Sequence, residues 1–413
     1  MKASWRLSIA TTVATMLLLP LIGATAGIAA HKAAAPVRPA APAPRTSPPA
    51  APSLAPGENF DTAARFALIT EADTNTVLFS KNADARMEPA SMGKLMTAYI
   101  VFGMLKEGRI TLGDELPVSE KAWRMGGSKM FVGIGGRVKI DDLVRGMVVQ
   151  SGNDACVVLA EGLSGSEDAF VDLMNQKAQE IGIKDSHFAN VTGLPDPNEW
   201  MTARVLTTLG IHIINDFPEY YHYFSEKEFN FNNIDQGNRN PLLYKNIGAD
   251  GLKTGHTDES GYSLIGSILR GDRRVIVVIS GLASMKDRAA ESERLIEWAF
   301  REFNDYKLFS VGDKIDDADV WLGRDSRVGL TVTKDLTVTL PRRSRHDMKV
   351  TVSYDSPIPA PIKQGDVIGK LTVTAPGIAA VERPLYAAAA VPAIGTIGRM
   401  ATLAGYLIWG TRH

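Results

Sequence analysis

Three short segments carry the side-chain types that acyl transfer through a serine requires. In Pro89-Ala-Ser-Met-Gly-Lys94 a hydroxyl and an amine stand three residues apart, immediately before the apolar run 95–105. On a helix that spacing places Ser91 and Lys94 on one face, a turn apart. A protonated lysine in a first helical turn opposes the helix dipole and, once buried, also loses its hydration; both effects favour the neutral amine. A neutral amine can take the serine proton. Alone, Ser-x-x-Lys is equally the pattern of a capping serine beside a solvated lysine. Ser151-Gly-Asn153 lies between two apolar stretches and predicts a tight turn between helices, whose hydroxyl and amide can project into a shared cleft or simply belong to a loop. Asp250-Gly-Leu-Lys-Thr-Gly-His256 predicts a strand bordering that cleft, with Lys253 and Thr254 as a cation and a hydroxyl at its edge. Gly255 there would let a bound peptide approach the backbone, whereas an edge lysine is otherwise a solvated, edge-blocking charge.

The elements that must position these groups are partly visible in the apolar pattern. Residues 66–71 and 76–81 flank a turn of Asp73, Thr74 and Asn75 and predict a hairpin; residues 262–270 and 274–281 flank Gly271-Asp272-Arg273 and predict another. A helix is expected over 284–303 with Leu295, Ile296, Ala299, Phe300 and Phe303 on one face, and residues 91–230 are mostly helical in period. Strands from both ends of the segment and helices from its middle give an α+β domain over 59–305. From 306 to 385, short alternating runs such as Leu336-Thr-Val-Thr-Leu predict a small all-β domain.

The chain ends read differently. Lys2 and Arg6, the apolar stretch 9–22 and the small residues 24–30 form the pattern of a secretory signal over 1–30, which places the mature protein outside the cytoplasm. Residues 31–58 hold eight of the 22 prolines and predict an extended Pro/Ala-rich linker. Within 386–413, Ile394, Ile397, Ala401, Ala404 and Ile408 make an apolar helical stripe with Tyr406 and Trp409 as interfacial anchors, which predicts a tail lying on the membrane surface or packed back on the protein. Lys+Arg 45 against Asp+Glu 46 leaves a net charge of -1, so no global field steers the chain to nucleic acid. The single cysteine, Cys156, excludes an intrachain disulfide and any cysteine-built metal centre; with dispersed histidines, the expectation is a site with no metal and no cofactor.

Together and in this order, separated by 60 and then 102 residues, Ser-x-x-Lys, Ser-x-Asn and Lys-Thr-Gly resemble the signature set of the penicillin-recognising serine acyl-transferases. Glu88-Pro-Ala-Ser-Met-Gly-Lys94, Gln150-Ser-Gly-Asn-Asp-Ala-Cys156, Asn238-Arg-Asn-Pro-Leu-Leu243 and Asp250-Gly-Leu-Lys-Thr-Gly-His-Thr257 resemble the D-alanyl-D-alanine carboxypeptidase branch of the low-molecular-mass penicillin-binding proteins. Ile362-Lys-Gln-Gly-Asp-Val-Ile-Gly369 is similar to that family's C-terminal β domain. The resemblance implies a transferase domain with an antiparallel sheet and a helical subdomain, then the all-β domain and a C-terminal amphipathic helix. It implies that Ser91 attacks the carbonyl between two D-alanines of a peptidoglycan stem pentapeptide, with Lys94 as base and Ser151 passing a proton to the leaving amine. Asn153 would hold the peptide, Gly255 would let it approach, the backbone N–H groups of Ser91 and His256 would form an oxyanion hole, Lys253 and Thr254 would bind the terminal carboxylate or tune the nearby proton network, and Arg239 would be a second cation for that carboxylate. Arg239 reads equally as a structural ion pair, and the His256 ring either positions water or packs. β-Lactams are the implied covalent inhibitors, and the implied location is the periplasm, at the outer face of the cytoplasmic membrane. A DD-endopeptidase, a β-lactamase of the same fold and a non-catalytic peptidoglycan-binding envelope protein are the alternatives. One departure stands out: Val205 follows Met201-Thr-Ala-Arg204 where the family pattern expects a carboxylate.

Overall fold

The computed structural model describes residues 60–396, 398 and 400. The signal and the linker expected over 1–58 lie outside the described residues, as does nearly all of the tail helix. The described residues divide into two compact units, 60–306 with Thr337–Arg345 in the first, and 307–336 with those from 346 on in the second.

The unit that holds the three motifs runs β1 (Phe66–Glu71), β2 (Thr76–Lys81), α1 (Lys94–Lys106), β3 (Glu115–Pro117), α2 (Glu120–Arg124), β4 (Arg137–Lys139), α3 (Ile140–Val148), α4 (Asn153–Ser164), α5 (Glu167–Glu180), α6 (Ala203–Asp216), β5 (Glu228–Phe231), β6 (Ile234–Gly237), β7 (Ala249–Thr257), β8 (Gly261–Arg270), β9 (Arg273–Leu282) and α7 (Met285–Glu302). Both expected hairpins form and share one antiparallel sheet, β2-β1-β9-β8-β7. The second is tighter than the sequence suggests. Arg270 pairs with Arg273, so the turn is Gly271-Asp272 alone, with Gly271 at φ 60° as a two-residue hairpin turn demands.

The sheet is buried on both faces, which explains why β8 and β9 read as continuous apolar runs and not as alternating ones. Ile265, Ile276 and Val278 face the helical core together with α1, α3, α4 and α6, while Leu264, Ile268, Val275, Val277 and Ile279 face Leu295, Ile296 and Ala299 of α7. Ser284 caps α7 by accepting the Asp287 N–H at 3.1 Å. Helix α1 lies inside the core, with ten of the eleven residues 95–105 buried; only Gly103 is partly exposed. A helix so enclosed has a fixed first turn.

The rest of the described chain is all-β. Its strands are β10 (Phe303–Phe309), β11 (Lys314–Trp321), β12 (Arg327–Thr331), β13 (Leu336–Pro341), β14 (Lys349–Tyr354), β15 (Ile358–Pro359), β16 (Val367–Thr374) and β17 (Val381–Ala387); β10 pairs with β13, two strands that straddle the division of the chain, and the other six form the sheet of the second unit, ordered β14-β16-β17-β12-β11-β15. The first residues of the expected tail continue this unit: bridges join Ile362 to Val391 and Gly323 to Ala393. No helix among the described residues is long and apolar enough to cross a membrane.

Because both sheet faces are packed, Ile265→Ala on one face and Ile279→Ala on the other should each lower the unfolding free energy by about 2–5 kcal/mol. Leu269→Ala, at a side chain 41% exposed, should cost much less. Urea titrations followed by circular dichroism compare the three; equal costs would contradict the two-faced core.

Candidate active site

Residues 90–93 form a single 3-10 turn that runs straight into α1, so Ser91 sits at the mouth of the buried helix and Lys94 opens it. The Lys94 side chain is 1% exposed; its Nζ donates to Ser91 Oγ at 3.0 Å and to the Thr192 carbonyl at 2.7 Å. Burial is the main influence that lowers its pKa, to about 8, with Arg239 acting in the same direction and Cys156, Glu199 and Asp154 opposing. The predicted pairing is therefore present, and its partners are neutral oxygens.

Glycines let backbone close around this turn. Gly193 is at φ 72°, and a Cβ on it would fall 1.9 Å from the Ala90 carbonyl oxygen. A Cβ on Gly255 would come 3.0 Å from both Ala90 Cβ and the Pro89 carbonyl oxygen. The sequence expectation was that Gly255 makes room for a bound peptide; in the structure the missing side chain makes room for the serine turn itself.

The Ser151-Gly-Asn153 turn leads into α4 as expected. Ser151 is buried at φ 65°, a left-handed conformation that serine adopts at a cost, and its Oγ has no hydrogen-bond partner. Asn153 donates from Nδ2 to the Gly126 carbonyl at 2.9 Å, and its Oδ1 is buried without a partner. Asp154, next in sequence, accepts the N–H groups of Met130 at 2.9 Å, Phe131 at 2.8 Å and Val132 at 3.2 Å, which ties the 126–132 loop to the start of α4. Sequence reasoning passed over Asp154; an acid in a first helical turn reads as ordinary dipole compensation.

Strand β7 is the outermost strand of its sheet and carries Lys253 and Thr254, both buried. Lys253 has its pKa held well below the ordinary lysine range, first by burial and then by the charges of Lys94, Arg239 and Arg288. Arg239 donates from Nη1 to Ser128 Oγ at 2.5 Å, and Arg288 donates from Nη2 to the Arg239 carbonyl at 3.3 Å. Burial also pushes Arg288 down to about 10. Four basic side chains, Lys94, Lys253, Arg239 and Arg288, thus bear on one another, and Arg288 Nε is buried without a hydrogen-bond partner. Arg288 was not foreseen, because a basic residue in the first turn of α7 carries no motif. Guanidinium groups at such a place are able to share hydrogen bonds with an anion.

The matching family model, D-alanyl-D-alanine carboxypeptidase, covers residues 51–284. The chain belongs to that family. A second model, the C-terminal domain of penicillin-binding protein 5, covers residues 303–393 of this carboxypeptidase. The D-alanyl-D-alanine carboxypeptidase DacA of Escherichia coli strain K12 is 37% identical over 341 residues, 81% of this chain and 85% of that protein. A D-alanyl-D-alanine endopeptidase of Pseudomonas aeruginosa is 30% identical over 56% of this chain and 76% of its own. Among solved structures, penicillin-binding protein 5 from Haemophilus influenzae has a TM-score of 0.76 at 37% identity, covering 81% of this chain and 99% of that one. Penicillin-binding protein D2 from Listeria monocytogenes, solved with ampicillin bound, has a TM-score of 0.54 at 28% identity, covering 59% of this chain and 99% of its own.

The remaining expected site residues of the carboxypeptidase are also placed. The His256 side chain is exposed and its ring lies 4.0 Å from that of Tyr262, a packed arrangement. Cys156 is fully buried in the core, with its thiol pushed up to about 11 by burial. Val205 is buried in α6, behind the Thr202 cap, so it supplies packing where the family pattern has an acid.

Gly193→Ala forces either the Ser91 turn or the 189–193 loop to move. Acylation by a fluorescent penicillin should slow about 100-fold or more while the far-ultraviolet circular dichroism stays native. Labelling at the wild-type rate would show that the close approach is dispensable.

Proposed function

We propose that this protein is a serine D-alanyl-D-alanine carboxypeptidase that trims the terminal D-alanine from peptidoglycan stem pentapeptides and is acylated by β-lactams. The observation that carries this is the Lys94 Nζ donating to Ser91 Oγ at 3.0 Å inside a buried site. Lys94 in its neutral form removes the Ser91 proton as Oγ bonds to the carbonyl carbon between the two D-alanines. The C–N bond of the resulting tetrahedral species then breaks, and the departing D-alanine amine takes a proton from Ser151, whose unpartnered hydroxyl is in turn reprotonated by the Lys94 ammonium, so that the proton removed from Ser91 leaves with the amine. Water hydrolyses the ester and restores Ser91. The backbone N–H groups of Ser91 and His256 hold the oxyanion, where losing a donor typically costs about 3 kcal/mol of barrier.

The stem peptide lies along the outer edge of β7, facing Asn153, whose unpartnered Oδ1 accepts from the peptide backbone. Its terminal carboxylate rests among Lys253, Thr254 and Arg239, a position supported by the absence of any ion pair to the two cations among the described residues. Residues 59–305 act as the catalytic domain and 306–385 as a β domain that carries no chemistry. Export through 1–30, a tether over 31–58 and a membrane-lying tail formed by the part of 386–413 that follows the bridged residues Val391 and Ala393 put the enzyme in the periplasm at the cytoplasmic membrane; the supporting features are the apolar and proline-rich patterns of those segments.

Mass spectrometry after brief exposure to benzylpenicillin should find one adduct, on Ser91, and Ser91→Ala should lose both the adduct and D-alanine release from a pentapeptide. Retained release in that variant would refute the assignment. Because neutral Lys94 is the base and its pKa lies at about 8, kcat/KM should rise with pH through about 8 and then level off. Lys94→Ala should reduce it by about 100-fold or more and remove that limb.

A further inference from the structure

The loop that follows α5 brings a buried carboxyl against the catalytic turn. Glu199 is 3% exposed. Its Oε2 accepts the N–H groups of Ala189 at 2.6 Å and Asn190 at 3.3 Å. Asn190 in turn accepts, through Oδ1, from Thr192 N at 3.0 Å, Thr192 Oγ1 at 2.6 Å and Leu194 N at 3.1 Å. This bracing fixes the Thr192 carbonyl that receives the Lys94 proton donor at 2.7 Å, and Thr97 of α1 grips the same loop by donating to the Val191 carbonyl at 2.9 Å. The other oxygen, Oε1, is buried with no hydrogen-bond partner and lies 3.3 Å from the point where a Cβ on Gly93 would be. Glu199 is thus wedged between the Ser91–Lys94 turn and the loop that holds the Lys94 amine. Nothing in the reaction outlined above uses it.

We propose that Glu199 is a positioning residue that sets the basicity of Lys94, by fixing the Thr192 carbonyl on it and by placing a negative charge behind it. The inference rests on Lys94 being the base that activates Ser91. The charged groups that bear on the Glu199 carboxyl are Lys94 from α1 and Asp196 from its own loop, and burial raises its pKa to about 7. Those that bear on Lys94 are Cys156 and Asp154 from the α4 segment, Arg239 before β7, Lys253 on β7 and Glu199 itself. At the pH where Lys94 loses its proton Glu199 is mostly ionised, so its charge favours the ammonium. Removing that charge therefore lets the neutral amine persist to lower pH.

The test is the pH dependence of benzylpenicillin acylation for wild type, Glu199→Gln and Glu199→Asp, each with its melting temperature. Glu199→Gln should move the acid limb to lower pH by about half a unit or more. Glu199→Asp keeps the charge but withdraws the carboxylate by one methylene; it should leave the limb near its wild-type position and lower the plateau several-fold. Superimposed limbs for wild type and Glu199→Gln, or equal shifts in both variants, would overturn the proposal. Should Glu199→Gln fail to fold, ¹³C-glutamate NMR of the wild type decides: a Glu199 carboxyl that responds to a second, linked titration near that of Lys94 supports the coupling, and a single step in the ordinary carboxylate range refutes it. A wild type that benzylpenicillin does not acylate at Ser91 would instead defeat the assigned function, a result that none of the variant comparisons can mimic.

Discussion

Moving the Lys94 amine out of water and against Ser91 costs hydration energy whenever the amine is protonated, and the choice of its neighbours decides how that cost is met. A carboxylate in contact would hold the charged form and leave a poor base. Both atoms that Lys94 touches, the Ser91 hydroxyl and the Thr192 carbonyl, are instead neutral acceptors. They satisfy the nitrogen in either protonation state, and the acids Glu199 and Asp154 act through space, against burial and Arg239. The balance leaves an amine whose proton is lost near the working pH, the condition for general base catalysis.

That balance depends on positions held to a fraction of an ångström, and the fold supplies the rigidity. The sheet carrying Lys253 is packed on both faces, α1 is enclosed by other helices, and the Ser91 turn is pinned by two glycines whose side chains would collide with it. The three non-glycine residues at positive φ nearest the chemistry, Ala90, Phe131 and Ser151, each belong to a segment held from elsewhere. Ala90 is fixed by Gly193 and Gly255, and Phe131 by the Asp154 carboxylate. Ser151 lies between α3 and the start of α4, where Gly152 N–H reaches the Gly146 carbonyl at 2.8 Å. Strain of this kind persists only where the surroundings over-determine it.

The features legible in the sequence are those with a period or a fixed spacing. The hairpins of 66–81 and 261–282 and the capped helix α7 announce themselves through apolar runs and turn residues, and the three motifs fix the order of the catalytic groups. The groups that tune those motifs are not legible. Arg288 occupies an unremarked first turn of a helix, Asp154 reads as a dipole-compensating acid, and Glu199 stands in a stretch of Pro195, Asp196, Pro197 and Asn198 that says only that the chain turns. Each acquires its role from partners nine or more residues away, and no local pattern encodes such a pairing. The excursion of Thr337–Arg345 into the first unit is hidden for the same reason: Thr339 meets Thr74 at 2.5 Å and Asp305 at 2.7 Å through contacts of long sequence separation.

The cations impose a further condition on the same balance. An incoming carboxylate raises the pKa of every lysine near it, so a substrate held by lysines alone would tend to recharge Lys94 at the moment its neutral form is needed. Arg239 lowers the pKa values of both Lys94 and Lys253, and Arg288 lowers that of Lys253, so the rise an anion causes begins from depressed values. On the proposed reading, the substrate anion therefore meets a positive field already in place, supplied by guanidinium groups that stay charged at the pH where Lys94 loses its proton. The basicity of Lys94 during attack is then the sum of its burial, the guanidinium field, the acids behind it and the bound anion, and a site that starts from a lowered pKa keeps more of the neutral amine.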